Sequence, residues 1–287
     1  MNDYVICLDS SSDFTEAAAS ERDYHISSLT FRFNDSETEY SNQGMSITEF
    51  YDRMRAGGVA KTAAVNAQAF INEFEQHLKA GFDVLYIGFS SGLSTTYNSA
   101  CIAATELREK YPERKIITVD TLAASAGIAL LADIVLEAKK GGATIEEAAA
   151  LAEEKKLHIC HYFTVDDLEY LKRGGRVSPA VAFVGNMLGI KPLLYVDNDG
   201  HLTKIDKARG RHASLVALAN KYGELAEDAS GTFYISNGDC IEDARKLADI
   251  ITAKYGATCG LITDVGPVIG AHAGPGVLAL FFVGKQR

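Results

Sequence analysis

Small hydroxyl residues follow three short apolar segments in the first half of the chain. Ser10–Ser12 come after YVICLD, Ser90–Ser94 after DVLYIGF, and Thr121 after KIITVD. The carboxyl ends of parallel strands meet at one edge of a sheet, where ligands of open α/β folds bind. Hydroxyl groups and the free N–H groups of helix N-termini at that edge suit an anion. Because Ser and Thr are also common helix caps, a purely structural role is the alternative.

The segment GFSSG, residues 88–92, matches the G-x-S-x-G turn that carries the nucleophile of α/β hydrolases. In a serine esterase, Ser90 would attack the substrate and His272 would act as the base. Asp120 or Asp197 would orient that histidine, in the chain order Ser, Asp, His. No HGGG-like oxyanion segment precedes the motif, and hydroxyl residues continue to position 96, which favours a site with several donors. Esterase chemistry is therefore the alternative to a binding function.

A single histidine, His272, lies in the glycine-rich segment GPVIGAHAGPG, residues 266–276, as its only titratable side chain. A histidine that stabilises a tight turn would explain this pattern equally well. His158 and His161 are closely spaced, but residues i and i+3 of a strand face opposite sides. We therefore expect no metal site at this pair, and the sequence contains no Walker P-loop.

Basic residues cluster at two places in the second half of a chain whose net charge is −10. They are Lys172, Arg173, Arg176, Lys204, Lys207, Arg209 and Arg211. Guanidinium groups suit phosphate oxygens, so the four arginines are candidate contacts for a phosphate group or a protein partner. Lys172 and Arg173 could equally interact with the dipole at the end of a helix.

The first half of the chain alternates strand-like apolar segments with helical patterns. Strands are predicted at 4–8, 83–89 and 115–119, and helices at 67–80 and after Thr144, which begins a capping box. This alternation predicts an α/β fold in which the N-terminal sheet is mostly parallel and carries helices on both faces.

Near residue 160 the pattern changes to that of a smaller α+β C-terminal domain. We place the boundary at 163, which gives an α/β domain at 1–163 and a second domain at 164–287. A hairpin is predicted around DNDG at 197–200. A helix that is apolar almost all round, and therefore buried, is predicted at 178–190, and a shorter helix capped by Thr164 precedes it.

Composition excludes several classes of protein. The chain has 287 residues, of which 47% are apolar and 23% charged, as is typical of globular proteins. Its negative net charge argues against nucleic-acid binding and against a polybasic membrane surface. No apolar run approaches the roughly 18–20 residues of a membrane span, so no transmembrane segment is expected. Five scattered cysteines and the absence of a signal sequence at MNDYVICLDS favour a cytoplasmic protein with reduced thiols.

The ordered motifs of the chain resemble those of the DegV family over essentially its whole length. They are DSSSD (9–13), Thr62 ahead of an extended segment, SSGLSTTYNSA (90–100), VDTLAASAG (119–127), LEYLKRGGRVS (168–178), GIKPLL (189–194) and GPVIGAHAGPG (266–276). The resemblance implies a protein that buries one long-chain fatty acid between two domains, with the C-terminal domain closing over the ligand. The family's carboxylate contacts correspond here to Thr62 and Ser94, with His272 close by.

The resemblance also implies a protein partner. In the family, a kinase subunit supplies ATP and phosphorylates the bound acid, so this chain would be a carrier and not itself an enzyme. Arg173, Arg176, Arg209 and Arg211 lie in regions similar to those used in that reaction. We expect no metal, and no cofactor beyond the fatty acid.

The physical chemistry of a fatty acid agrees with these residues. Each buried methylene contributes about 0.8 kcal/mol, so a tail of about 14–18 carbons could supply roughly 10 kcal/mol before association costs. The helix predicted at 178–190 would line this tail. The carboxylate can be buried only where hydrogen-bond donors replace its water, which hydroxyl groups and an imidazole can provide.

Overall fold

The computed structural model describes residues 3–179 and 189–287. Within these ranges, thirteen strands form three sheets. None of the helices in the same ranges is long and apolar enough to span a membrane. All five cysteines are free.

The first sheet contains four parallel strands in the order β2-β1-β6-β7. Their bounds are Tyr24–Ser27 (β2), Tyr4–Asp9 (β1), Asp83–Gly88 (β6) and Ile116–Asp120 (β7). Every residue of β1 and β6 is buried. Strands covered on both faces have such continuous apolar sequences, and the predicted parallel N-terminal sheet is confirmed.

Helices cover this sheet in two pairs. α3 packs against α4, and α5 packs against α6, while α1 lies beside β2. Their bounds are Glu16–Glu21 (α1), Ala67–Lys79 (α3), Thr96–Lys110 (α4), Ala126–Lys140 (α5) and Ile145–Lys155 (α6). Short 3-10 helices occupy Ser10–Ser12 and Lys156–His158. The predicted capping box is present, because Thr144 and Glu147 exchange hydrogen bonds at the start of α6.

The second sheet is mixed, with six strands in the order β10-β9-β8-β13-β11-β12. Their bounds are Leu202–Arg209 (β10), Ile190–Val196 (β9), Ile159–Thr164 (β8), Leu278–Val283 (β13), Thr232–Asn237 (β11) and Thr258–Asp264 (β12). β9 and β10 form the predicted hairpin. Two helices, Arg211–Leu225 (α8) and Ile241–Tyr255 (α9), pack on this sheet. The predicted α+β unit is therefore present.

Helix α5 lies between the two large sheets. It contacts β6 of the first sheet and β8, β11 and β13 of the second. Its sequence, AGIALLADIVLEAKK, is apolar around most of its circumference until its last turn. A helix of this kind is buried on several sides, and α5 is what joins the two sheets into one core.

A third, antiparallel sheet is absent from the sequence-based predictions. Its order is β4-β3-β5, with Tyr40–Ser41 (β4), Thr30–Phe33 (β3) and Ala60–Ala63 (β5). These strands are two to four residues long, too short for a readable alternation. The helices Ile47–Arg55 (α2) and Pro267–Ala273 (α10) complete a small aromatic core with this sheet around Phe31 and Phe50.

The transition between the two large units occurs at β8. Residue 163, the predicted boundary, lies inside this strand, which pairs with β9 and β13. We propose that the second unit begins at Ile159. Thr164 ends β8, and the next helix, Glu169–Arg173 (α7), begins five residues later, so the prediction that Thr164 caps it is wrong. Most of the helix predicted at 178–190 lies outside the described residues, and Ile190 already belongs to β9.

Candidate functional site

A cavity of about 480 Å³ lies where the loops after β6 and β7 meet the second sheet and α10. Most of its lining side chains are apolar, among them Leu29, Phe89, Phe163, Val196, Leu202 and Phe281. Pockets for small molecules typically measure about 300–1,000 Å³ and combine an apolar lining with a few polar groups. The cavity therefore suits a mainly apolar ligand with one polar end.

Thr62 and His272 form a hydrogen-bonded pair in the wall of this cavity. Thr62 Oγ1 lies 2.9 Å from His272 Nε2. Thr62 belongs to β5, where it is paired with Phe31, and His272 belongs to α10, which packs on that strand. Both residues are half-buried, so the pair can reach a ligand in the cavity and remains accessible from solvent.

Ser94 lines the same cavity from the loop that connects β6 to α4. Its Oγ lies 2.9 Å from Thr96 Oγ1 and accepts a hydrogen bond from the Thr96 N–H at 3.2 Å. Thr96 is the first residue of α4, so this hydroxyl sits at the positive end of a helix dipole, which favours an anion. The structure thus brings the three predicted contacts, Thr62, Ser94 and His272, to one cavity.

The imidazole of His272 is neutral at physiological pH. Burial lowers its pKa to about 4, and the guanidinium of Arg176 acts in the same direction. A neutral imidazole has one N–H donor and one acceptor nitrogen. Its Nδ1 has no hydrogen-bond partner among the described residues. A methyl group at Gly174 would lie 2.2 Å from that atom, so the missing side chain at Gly174 makes room for the ring.

Arg176 connects the loop after α7 to the loop that carries Ser94. It donates to the Leu93 carbonyl from Nη2 at 2.9 Å and from Nε at 3.3 Å, and to the Gly174 carbonyl from Nη1. Burial lowers the pKa of Arg176, but a guanidinium keeps its charge at neutral pH. Since Arg176 also lines the cavity, it supplies a positive charge at the polar end.

Two buried carboxyl groups of the DSSSD motif position the loops of the site. Asp9 accepts hydrogen bonds from the Phe89 N–H at 3.0 Å and from the Tyr86 hydroxyl at 2.6 Å. Asp13 accepts one from the Gly266 N–H at 3.0 Å, just before α10. Burial raises the pKa of both groups, that of Asp13 to about 8. The motif therefore acts on the site through its carboxyl groups, a role that the sequence analysis missed.

Other hydroxyl residues at the strand ends have structural roles. Ser10 Oγ accepts a hydrogen bond from the Leu29 N–H at 3.0 Å, and Thr121 Oγ1 donates to the Gly88 carbonyl at 2.7 Å. Neither residue is in the lining of the cavity. Of the three predicted strand ends, only the Ser90–Ser94 segment contributes predicted hydroxyl residues to it.

The residues of the esterase alternative are not joined in one hydrogen-bonded relay. Ser90 is fully buried, and its hydroxyl donates to the carbonyl of Gly200 at 3.0 Å. His272 Nε2 is bonded to a threonine instead. Asp120 accepts hydrogen bonds from the backbone N–H groups of Ser91 and Leu122, and Asp197 accepts two from its own turn. The structure therefore does not assemble the arrangement that Ser–His–Asp chemistry needs.

The four candidate arginines differ in their surroundings. Arg211 is engaged elsewhere, because its Nε donates to Asp243 Oδ2 at 2.8 Å. Arg173 and Arg209 are exposed. Of the four, Arg176 is the one that lines the cavity.

His161 also lines the cavity, which the sequence analysis did not predict. It is 2% exposed, its Nδ1 lies 2.8 Å from the Ile159 carbonyl oxygen, and its ring packs edge-on to Phe281. His158 instead contacts the Gly284 carbonyl. The prediction that both histidines lie on one strand is wrong, because His158 ends the 3-10 helix Lys156–His158 and only His161 lies on β8. The sequence does not show which face of β8 meets the cavity.

Comparison with known proteins adds to this geometry. A family model described as "Uncharacterised protein, DegV family" matches residues 4–285. The chain belongs to the DegV family. A DegV domain-containing protein of Clostridium perfringens is 42% identical over 291 aligned positions, which cover 100% of this chain and 99% of the relative. A fatty acid-binding protein of Thermotoga maritima is 35% identical over 237 positions, covering 81% of this chain and 80% of that protein.

The fold of this DegV protein also occurs in a crystal structure of the Streptococcus pneumoniae fatty acid kinase (Fak) B3 protein loaded with linoleic acid. The TM-score is 0.87 at 19% sequence identity, and the match covers 99% of this chain and 100% of that one. At this identity, the similarity concerns the fold. The motif-based assignment to the DegV family and the predicted fold class are thus confirmed.

Proposed function

We propose that the chain binds one long-chain fatty acid in the cavity, with the carboxylate at Thr62, Ser94 and His272. The observation that carries the proposal is an apolar cavity of about 480 Å³ with a hydroxyl–imidazole pair in its wall. The Thermotoga maritima relative, named as a fatty acid-binding protein at 35% identity, supports the same class of ligand.

The two ends of such a ligand have opposite requirements, and the cavity meets both. Each methylene of the tail gains about 0.8 kcal/mol when it leaves water for an apolar lining. Burying the carboxylate costs several kcal/mol unless hydrogen-bond donors of the protein replace its bound water. Two hydroxyl groups, a neutral imidazole and the charge of Arg176 are available for it. Without these local groups, a chain with a net charge of −10 would repel the anion.

We further propose that the chain is a carrier that presents the bound acid to a kinase partner. The partner would transfer the γ-phosphoryl group of ATP to a carboxylate oxygen, which yields an acyl phosphate and ADP. Half-buried Thr62 and His272 leave the carboxylate within reach from outside. Arg176 would lie nearest the new phosphate, and exposed Arg173 and Arg209 would meet the partner. This step rests on the family resemblance, and the fold neighbour is itself named a fatty acid kinase B3 protein.

Native mass spectrometry tests the ligand. Protein freed of lipid by extraction and then incubated with palmitate or oleate should gain the mass of one fatty acid. A mass that stays unchanged with both acids would contradict the proposal.

A pair of variants tests the position of the carboxylate. Thr62→Val combined with Ser94→Ala removes two donors worth about 1–3 kcal/mol each, so affinity should fall at least 10-fold in a fluorescent fatty acid displacement assay. Thr62→Ser is the matched control, because it keeps the hydroxyl group and should bind nearly as the wild type does. Equal affinity of the double variant and the wild type would exclude these residues from the site.

Trapping with hydroxylamine tests the kinase step. Loaded protein mixed with a purified bacterial acyl kinase subunit and ATP should produce acyl phosphate, which hydroxylamine converts to a hydroxamate. Arg173→Ala with Arg209→Ala should slow this reaction without changing fatty acid affinity. Arg245→Ala, another exposed arginine, is the control. No hydroxamate from a kinase that is active on its own carrier would contradict this part of the proposal.

A further inference from the structure

His25, Glu73 and His77 form a cluster of metal-ligating side chains outside the fatty acid cavity. One ligand atom from each residue lies within 4.8 Å of the others. The two imidazole rings have centroids 4.1 Å apart, and His77 Nε2 lies 3.7 Å from Glu73 Oε1. None of the three residues lines the cavity, so the proposed function does not use them.

Regular secondary structure positions all three side chains. His25 lies on β2, the edge strand of the parallel sheet. Glu73 and His77 lie four residues apart on α3, so they share one face of that helix. Because α3 packs against β2, the cluster spans the contact between a strand and the helix that covers it. Two packed elements therefore hold the ligands in place without help from a loop.

The donor set is that of a zinc site. Two imidazoles and one carboxylate, with water at the remaining position, are a common coordination of Zn²⁺. Bonds of about 2.0–2.2 Å in a tetrahedron separate the ligand atoms by about 3.3–3.6 Å. Small side-chain rotations would reach these separations from the present ones, which are at most 4.8 Å. All three residues are half-buried, so an ion and its water can reach them.

The contact between the two imidazole rings is not explained by the helix alone. An ion pair between residues four apart on α3 accounts for the approach of His77 to Glu73. It does not account for the position of His25 on β2, whose ring centroid lies 4.1 Å from that of His77. An ion bound by all three side chains would account for both contacts.

We propose that His25, Glu73 and His77 bind one zinc ion, with water completing the coordination. The ion would cross-link β2 to α3. Since the unfolded chain does not hold these residues together, zinc would stabilise the folded state by an amount that grows with the logarithm of the zinc concentration relative to Kd.

Calorimetric titration tests the site. Full-length protein stripped of metal with a chelator and then titrated with zinc chloride should show one strong site. His25→Gln and His77→Gln should each weaken it at least 10-fold, and the double variant should abolish it. His201→Gln is the matched control, because His201 lies 3.9 Å from Asp197 and is not part of the cluster. Wild-type binding by the double variant would overturn the proposal.

A second measurement uses the wild type alone, so it does not depend on whether the variants fold. Zinc should raise the melting temperature and should protect His25 and His77 from modification by diethyl pyrocarbonate, as read by peptide mass spectrometry. Modification of these two histidines that is unchanged by saturating zinc would overturn the proposal.

Discussion

The same cavity has two histidines in its wall, and their surroundings differ. His272 bonds a threonine hydroxyl, is half-buried and lies near Arg176. His161 is 2% exposed, contacts its own strand's backbone and packs against the ring of Phe281. Burial lowers the pKa of both imidazoles, so both are neutral at physiological pH.

Under the proposed function, we infer that the neighbours of each histidine, and not the residue type, decide which end of the cavity would receive a carboxylate. A neutral imidazole alone is a weak partner for an anion. At His272 it is combined with the Thr62 hydroxyl group and with the guanidinium of Arg176, both of which line the cavity. The guanidinium near His161 is that of Arg287, which donates to backbone carbonyls and does not line the cavity, and the ring of Phe281 packs against His161 instead. We therefore propose that His272 would contact the head group of the fatty acid and that His161 would contact its tail.

Exchanging each histidine for leucine should have the largest effect and should separate these roles. His272→Leu removes a buried donor worth about 1–3 kcal/mol, so palmitate affinity should fall about 10- to 100-fold. His161→Leu replaces a polar ring with an apolar side chain beside the tail, so affinity should stay within about threefold. The same displacement assay measures both variants. Equal losses would remove the distinction between the two ends.

The fold was largely predictable because its core strands are continuous apolar sequences. Segment 4–8 was predicted and Tyr4–Asp9 is observed, and 83–89 was predicted where Asp83–Gly88 is observed. The small third sheet was not predictable, since its strands have at most four residues and it packs on α10, from the far end of the chain.

The candidate site was predictable only through the family motifs. Neither periodicity nor composition connects Thr62 with His272, which are 210 positions apart in the chain. The carboxyl group of Asp13 acts on Gly266 across 253 positions, and DSSSD indicates a strand end but not that partner. Local patterns determine strands and caps, whereas a contact of this kind depends on how the sheets pack.

Two glycines, one beside each of the two histidines, allow a second test of the comparison, with an effect of intermediate size. A methyl group at Gly127 would lie 2.1 Å from His161 Nε2, and one at Gly174 would lie 2.2 Å from His272 Nδ1. Gly127 is buried in the first turn of α5, so Gly127→Ala should overpack the core and lower the free energy of unfolding by about 1–3 kcal/mol. Gly174→Ala, at a half-buried position, should displace His272 and weaken palmitate binding several-fold with little loss of stability.

Urea unfolding and the displacement assay measure these two effects. Alanine is compatible with the backbone at both positions, one in a helix and the other at the end of a helix. A difference between the two variants would therefore not come from backbone preference. Loss of affinity without loss of stability in Gly127→Ala, or the reverse in Gly174→Ala, would contradict the assigned roles.

The smallest expected effect concerns the protonation of His272. In the folded chain its pKa is about 4, whereas the pKa of a histidine in an unfolded chain is about 6.5. Between these values the unfolded state binds the extra proton, so this residue's contribution to stability is lost as the pH falls from about 6.5 towards 4. Glutamine does not titrate, so the free energy of unfolding of His272→Gln should fall less between pH 7 and pH 5 than that of the wild type. The difference should be on the order of 1 kcal/mol.

Urea unfolding of lipid-free wild type and His272→Gln at several pH values checks this difference. Between pH 7 and pH 8 the folded state takes up no proton at this residue and only a minority of unfolded chains do, so the two curves should run nearly parallel there. Below pH 6.5 they should diverge, because the imidazole in the wall of the cavity cannot be charged without losing its contacts. Curves that stay parallel down to pH 5 would mean that His272 titrates as in the unfolded chain, and that the polar end of the cavity is as open to water as the protein surface.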